Sequence, residues 1–224
     1  MTAGMKVLGI DTATAACSVA LLQDASTLAR ESEPMEHGHA QALVPMILRV
    51  MDGHAFSSLD AFGVTCGPGG FTGIRVGLAS ARALGLAAQR PVFGVSTFTA
   101  IVRGLPVSPG DDRKILVLIE SKRPDLYAQL FSPERQPLAG AAALRVEDLA
   151  AYAGTGPLLL AGDGAARAAS FFGPVVELAP GSARPDVAVV AAIAMELLRE
   201  QGPPSAPPRA FYLKAPDVTV PRKR

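Results

Sequence analysis

The sequence predicts an α/β protein built as two lobes, and three features of its 224 residues carry that expectation. An apolar run near the N-terminus folds back on itself as a β-meander. Between Ala61 and Val95 a strand, a Gly-rich loop, a helix and a further strand form a βαβ unit with a parallel pair. A Pro- and Gly-bearing break from Leu105 to Asp112 then precedes a second stretch of alternating strands and helices.

In the first half, Lys6 to Asp11 reads as a buried strand ending on a carboxylate. Thr12-Ala13-Thr14 reads as a turn, Cys17 to Leu22 as the returning strand and Thr27 to Ser32 as a third. His39 to Met51 has helical spacing, with Leu43, Val44, Ile47, Leu48, Val50 and Met51 making a stripe wider than one buried face requires. Pro45 inside it should cost a hydrogen bond and bend the helix locally. Ala61 to Thr65 is a short strand, Thr72 to Ala88 the core of a long helix reaching about Gln89, and Pro91 to Val95 another strand. Ser96 stands where a helix through Arg103 needs its N-cap.

The second half reads as strands Lys114 to Glu120 and Leu126 to Phe131, a helix near Val146 to Tyr152, a strand Leu158 to Ala161 and a helix Pro185 to Arg199. Residues 1–105 and 106–224 are therefore expected to be the two lobes, with the 185–199 helix able to pack back on the first. The run Gly202 to Pro208 cannot be regular structure and acts as a stiff linker. Beyond it, Arg209 to Arg224 is a basic tail, which can touch RNA or simply be solvated.

Composition excludes several classes. Hydrophobic residues make up 49% and charged residues 18%, so the chain can build a core. A net charge of +1 is too small for a protein that holds RNA by phosphate neutralisation alone, so any nucleic-acid role calls for a partner. The two cysteines, Cys17 and Cys66, form neither a disulfide framework nor a zinc spacing, and the expected home is a reducing cytoplasm. No apolar run reaches membrane-spanning length; Val187 to Met195 stops at Glu196.

Four segments carry candidate chemistry. The loop Gly67-Pro68-Gly69-Gly70-Phe71-Thr72-Gly73 can present backbone N–H groups and a helix N-terminus to an anion, or be a tight strand-to-helix turn. It fits neither a Walker loop nor GxGxxG. Gly73, Gly77, Ala81 and Gly85 recur every four residues as a ridge that admits another helix, or that packs on the protein's own sheet. Asp11 beside Thr12 can orient a metal-bound water, or cap its own turn. His37, His39 and His54 lack convergent partners, which favours solvated or interface histidines over a zinc site. Cys66 has no evident His to activate it and reads as a buried small side chain.

These residues resemble, in order, the TsaB (YeaZ) family. Val7 to Leu21 is similar to the family's IDTSTxxCSVAL opening, and His39 to Ile47 to its HSxxLLPMI helix. Cys66 to Arg75 resembles its GPGSFTGxR signature, with Gly70 in place of Ser. Pro91 to Thr97 resembles its next strand and cap, and Phe211 to Asp217 its closing YLR-type segment. The similarity is strong over about 105 residues and patchy beyond; Glu120, Ser121, Lys122 and Pro124 depart from the family's IDARxxEVY.

The resemblance implies an ASKHA fold of two RNase-H-like lobes. It implies a subunit that pairs with TsaD, joined by TsaE, in placing threonylcarbamoyl groups on the adenosine beside the anticodon of transfer RNA. It implies no catalytic or metal set in this chain and no required cofactor, ATP or ADP at the joint surface being left open. It also implies contact with transfer RNA only through the complex, self-pairing when alone, and no membrane. Asp11, Thr12, Gly67, Gly69, Gly70 and Thr72 are the phosphate-loop-like set; Leu160 to Ala165 is the nearest approach to an adenosine motif. His39, Leu43, Val44, Ile47, Gly73, Arg75, Gly77 and Ala81 are the expected subunit interface. A small ATP-dependent kinase or ATPase, or a glycoprotease-type metalloprotease, are the alternatives.

Overall fold

The computed structural model describes residues 4–106, 110–172 and 176–214. The first sheet is built from β1 (Lys6–Asp11), β2 (Ala16–Gln23), β3 (Ser26–Pro34), β4 (Ala61–Gly67) and β5 (Val92–Ser96), in the order β3-β2-β1-β4-β5. The second holds β6 (Lys114–Glu120), β7 (Asp125–Phe131), β8 (Ala142–Arg145), β9 (Leu158–Ala161) and β10 (Val176–Leu178), in the order β10-β9-β6-β7-β8. The two orders are the same connectivity used twice. In each, an antiparallel meander is followed by two strands laid parallel to the first. This duplication gives a two-lobed α/β fold.

Helices cover the sheets where the strand pattern leaves apolar faces. α1 (His39–Val50) and α2 (Phe71–Ala88) lie on one face of the first sheet, where Leu8, Ile10, Val19, Leu21 and Val64 meet Leu43, Met46, Ile47, Ile74 and Leu78. α6 (Val187–Gln201) lies on the other face over Val7, Ala20, Leu22 and Ala61. Its N-cap is Asp186, whose side chain accepts from Ala188 N at 2.8 Å. Close packing of α6 depends on two glycines. Gly9 and Gly63 face each other across the β1/β4 register. A Cβ at Gly9 would stand 2.5 Å from Val187 O, and one at Gly63 2.8 Å from both Val190 O and Ala194 Cβ. The small Ala191 and Ala194 on α6 complete this close approach.

α3 (Thr97–Gly104) bridges the lobes. Its Phe98, Ile101 and Val102 join Ile115, Val117 and Ile119 of β6 in one core cluster. Each lobe thus lends a helix across the sequence boundary, α3 to the second sheet and α6 to the first. Arg103 on α3 and Glu196 on α6 tie these two helices by a two-pronged ion pair at 2.6 and 2.7 Å.

Several local expectations change. Ser96 occupies the N-cap of α3, but its hydroxyl makes no capping bond and is buried without a partner, as is that of Thr97. α1 runs unbroken through Pro45, which lies on the exposed side. The second lobe holds β8, β10 and α5 (Ala165–Ala169), three short elements that the residue pattern does not signal. The helix near Val146 is a 3-10 turn, Val146–Asp148, followed by α4 (Leu149–Ala153).

The Pro-rich run has a definite place. It lies along β5, the edge of the first sheet, with Pro208 Cβ 2.7 Å from where a Cβ on Gly94 would be. Prolines cannot donate to a ladder, so they cover a sheet edge without extending it. The end of the basic tail, Ala215–Arg224, lies outside the described residues.

Candidate functional site

The first place to look is the crevice outside the carboxyl ends of β1, β4 and β5, where open α/β sheets hold ligands. Asp11 ends β1 there and is fully buried. Its Oδ1 accepts from Thr65 Oγ1 at 2.6 Å and from Ala13 N at 3.0 Å, and its Oδ2 from Thr14 Oγ1 at 3.4 Å. Burial pushes its carboxyl above the usual range, against the pull of those donors. The bond from Ala13 N is an Asx turn, so the carboxylate is committed to its own hairpin.

The Gly-rich loop is committed in the same way. Gly70 N donates to Ala13 O at 2.7 Å. A Cβ on Gly69, at φ 157°, would meet Ala13 O at 2.1 Å, and one on Gly67, at φ 110°, would meet Phe211 O at 2.6 Å. Thr12 Oγ1 donates to Gly73 O at 2.8 Å. The glycines therefore serve close packing of the loop on the β1–β2 turn and on the chain's own C-terminal segment. Of the phosphate-loop-like set only Gly70 and Thr72 are exposed.

The same geometry shows where the expected interface residues lie. A Cβ on Gly73 would meet Thr12 O at 1.9 Å, and one on Gly77 would meet Thr12 Oγ1 at 2.4 Å. Ala81 is fully buried, and Gly85 lies against Val92 and Arg90 O. The ridge of small residues faces inward, toward the β1 turn and the sheet, because α2 must lie close to both. Leu43, Ile47 and His39 are likewise buried by their own chain, His39 with an unpartnered Nε2. Of the expected interface set, Val44 and Arg75 are exposed.

What the helix pair presents outward overlaps that set only in part. Val44 and Leu48 on α1 are 52% and 59% exposed, and Leu86 on α2 is 82% exposed. Ala79, Ala83 and Ala87 are exposed on α2 among them. Leu48 was legible as the surplus of the α1 stripe; Leu86 was not, because it shares the α2 face that carries Arg75 and Arg82. The charges that α2 carries, Arg75 and Arg82, are both positive. No Asp or Glu occurs between Asp60 and Asp111, and Arg82 makes no ion pair among the described residues. Arg75 is engaged, its guanidinium 3.6 Å over the Phe71 ring with Nε donating to Tyr212 OH at 3.1 Å.

The second lobe offers no open cradle at its matching place. A Cβ on Gly162 would meet Leu118 O at 2.0 Å, so the Leu160 to Ala165 segment lies flat against β6. Asp163 Oδ1 accepts from Glu120 N at 2.8 Å, and burial pushes its carboxyl upward. Arg167 on α5 pairs with Glu120 at 3.2 Å and donates to Arg123 O and Asp125 O, which pins the departing turn in place. Burial raises the thiols of Cys17 and Cys66 to about 11, so neither is a ready thiolate at neutral pH. Among the described residues, no three His, Cys, Asp or Glu side chains converge as a metal would need, and no helix is long and apolar enough to cross a membrane.

Comparison with known proteins places this geometry. The family model described as TsaD, tRNA N6-adenosine threonylcarbamoyltransferase, matches residues 33–195. The chain is 37% identical over 125 residues to the tRNA threonylcarbamoyladenosine biosynthesis protein TsaB of Escherichia coli, covering 55% of this chain and 53% of that one. It thus spans about half the length of that relative. It is 33% identical over 217 residues to the Mycobacterium tuberculosis protein Rv3421c, covering 95% and 93%. Among solved structures, YeaZ from Pseudomonas aeruginosa superposes with a TM-score of 0.79 at 27% identity, over 93% of this chain and 100% of that one. A ROK hexokinase from Thermus thermophilus superposes with a TM-score of 0.51 at 16% identity, over 88% and 100%, which shows the shared fold alone.

Proposed function

The chain belongs to the TsaB (YeaZ) family, and on that premise we propose that it serves threonylcarbamoyladenosine formation in transfer RNA as the partner subunit of the transferase TsaD. The outer face of α1 and α2 is its docking surface, and the reacting groups come from the partner.

One observation carries this reading: Val44, Leu48 and Leu86 stand exposed on adjacent helices, whereas Asp11 and the Gly-rich loop are tied up internally. Apolar side chains clustered on a helix pair mark a protein interface. A carboxylate engaged by three donors and glycines packed against backbone support a frame role. The transferase is a fitting partner in shape. The transferase family's model matches this chain, and a transferase from Erythrobacter litoralis is 43% identical over 60 residues. Two related chains can therefore meet through equivalent helices, as two copies of this chain can when the partner is absent. Arg82 and the acid-free stretch around it favour a partner face bearing carboxylates. TsaE joins the pair in the complete assembly.

The test is association of the purified chain with TsaD by calorimetry. Leu48→Asp and Leu86→Asp, both at exposed positions, are expected to weaken binding by roughly thirtyfold or more while leaving the unfolding midpoint unchanged. Undiminished affinity in both variants would remove this face from the interface.

A further inference from the structure

Past the Pro-rich run, the chain does something its composition does not announce. Phe211 N donates to Cys66 O at 2.7 Å, adding main chain to the end of β4, and Phe211 O fills the space that a side chain on Gly67 would need. Tyr212 stacks on Phe71 with ring centroids 5.3 Å apart and accepts from Arg75. Leu213 packs on the core cluster shared by α3 and the second sheet, and Lys214 pairs with Asp125 at the start of β7. In six residues the segment crosses from the Gly-rich loop of one lobe to the β6–β7 turn of the other.

We propose that Arg209–Lys214 is a latch: seated, it fills the crevice at the carboxyl ends of the first sheet and ties the two lobes together. Released, it uncovers Gly67 and frees the N-terminal turn of α2. The grip is made of separable, mostly half-exposed contacts. Phe211 and Tyr212 are 36% and 38% exposed, and among the described residues only one backbone hydrogen bond secures the crossing to β4. A segment held that way opens locally, at a cost well below that of global unfolding. The crevice that comparable folds keep for a ligand is here occupied by the chain itself, which accounts for a Gly-rich loop that packs instead of cradling. This inference stands independently of the docking reading, since the latch is gripped by residues of both lobes within one chain.

Hydrogen exchange followed by NMR on the full chain tests it through the amide of Phe211, with the amides of Gly9 and Ile10 in β1 reporting global opening. The Phe211 amide is expected to be protected relative to an unstructured peptide, yet to exchange at least about tenfold faster than the β1 pair. Tyr212→Ala should speed Phe211 exchange roughly threefold to tenfold with the β1 amides unchanged. Lys214→Ala, which removes the grip on the second lobe, should act in the same direction. Exchange of Phe211 in step with β1 in all three proteins would show no separate opening and overturn the latch. So would exchange at the unstructured rate in the unaltered chain, or variants that leave Phe211 untouched.

Discussion

Replacing Gly63 by Ala probes the close approach between α6 and the first sheet. Its φ lies outside the left-handed region, so the backbone tolerates any residue and only space is at issue. The added Cβ would lie 2.8 Å from both Ala194 Cβ and Val190 O. Carbon pairs are comfortable at about 3.5–4.0 Å, so α6 must retreat by about 1 Å. It cannot do so freely, because Val187, Val190, Ala191 and Ala194 are all buried along the same helix. Overpacking of this kind costs about 1–3 kcal/mol. Against it stands a gain of about 0.4–1 kcal/mol from restricting the unfolded chain. The expected net loss is about 1–2 kcal/mol, or about 2–8 °C in Tm at this size. Urea titration should show a lower midpoint with an unchanged m-value. Ala194→Gly on the same background should restore only part of the loss, since Val190 O remains in the way. Gly140→Ala, with no atom within 4 Å of its added Cβ, is the control that shows the unfolded-chain gain without the clash. A Gly63→Ala protein as stable as the parent would refute the idea that these glycines set the α6 approach.

Three further outcomes follow from the same geometry. Gly77→Ala should lower the unfolding midpoint by a comparable amount, since its Cβ would meet Thr12 Oγ1 at 2.4 Å; a folded, equally stable variant with weakened partner binding would return the ridge to the interface. Asp11→Asn keeps an oxygen for Thr65 and Ala13 and removes a buried charge. Because burial raises the Asp11 carboxyl, its contribution is full below the unfolded value of 3.8 and is lost as pH climbs through the raised folded value. The Asn variant should therefore gain on the parent from pH 4 to pH 8 in chemical denaturation, and a constant difference would refute the assignment. Arg135 donates to Arg103 O and Leu105 O at the end of α3. Arg135→Ala should cost about 1–2 kcal/mol by leaving those carbonyls uncapped, measured as a drop in unfolding midpoint.

The residues made the first lobe readable because its periodicity is strong and each strand ends on a turn signal. Lys6–Asp11, His39–Val50 and Phe71–Ala88 fall within a residue or two of where their patterns put them. The second lobe was harder, since β8, β10 and α5 are three to five residues long and acquire their form from neighbours rather than from spacing. Inward and outward faces of α2 could not be separated by sequence. Small residues on a helix permit close approach without saying to what, and here Thr12 and the sheet take the place expected of a partner. Asp11 likewise offers two chemistries in sequence, and only its three donors show that the turn claims it. The C-terminal crossing was invisible because its meaning lies in where Cys66 and Asp125 are brought, not in its own residues.

Threonylcarbamoyl transfer to transfer RNA, in a reconstituted mixture of the synthase that activates threonine, TsaD and TsaE, tests the partner-subunit account most directly when run with and without this chain. The account predicts modification that depends on the chain, none by the chain alone, and loss of that modification when the chain carries Leu48→Asp plus Leu86→Asp. Modification that proceeds equally well when the chain is omitted would contradict it.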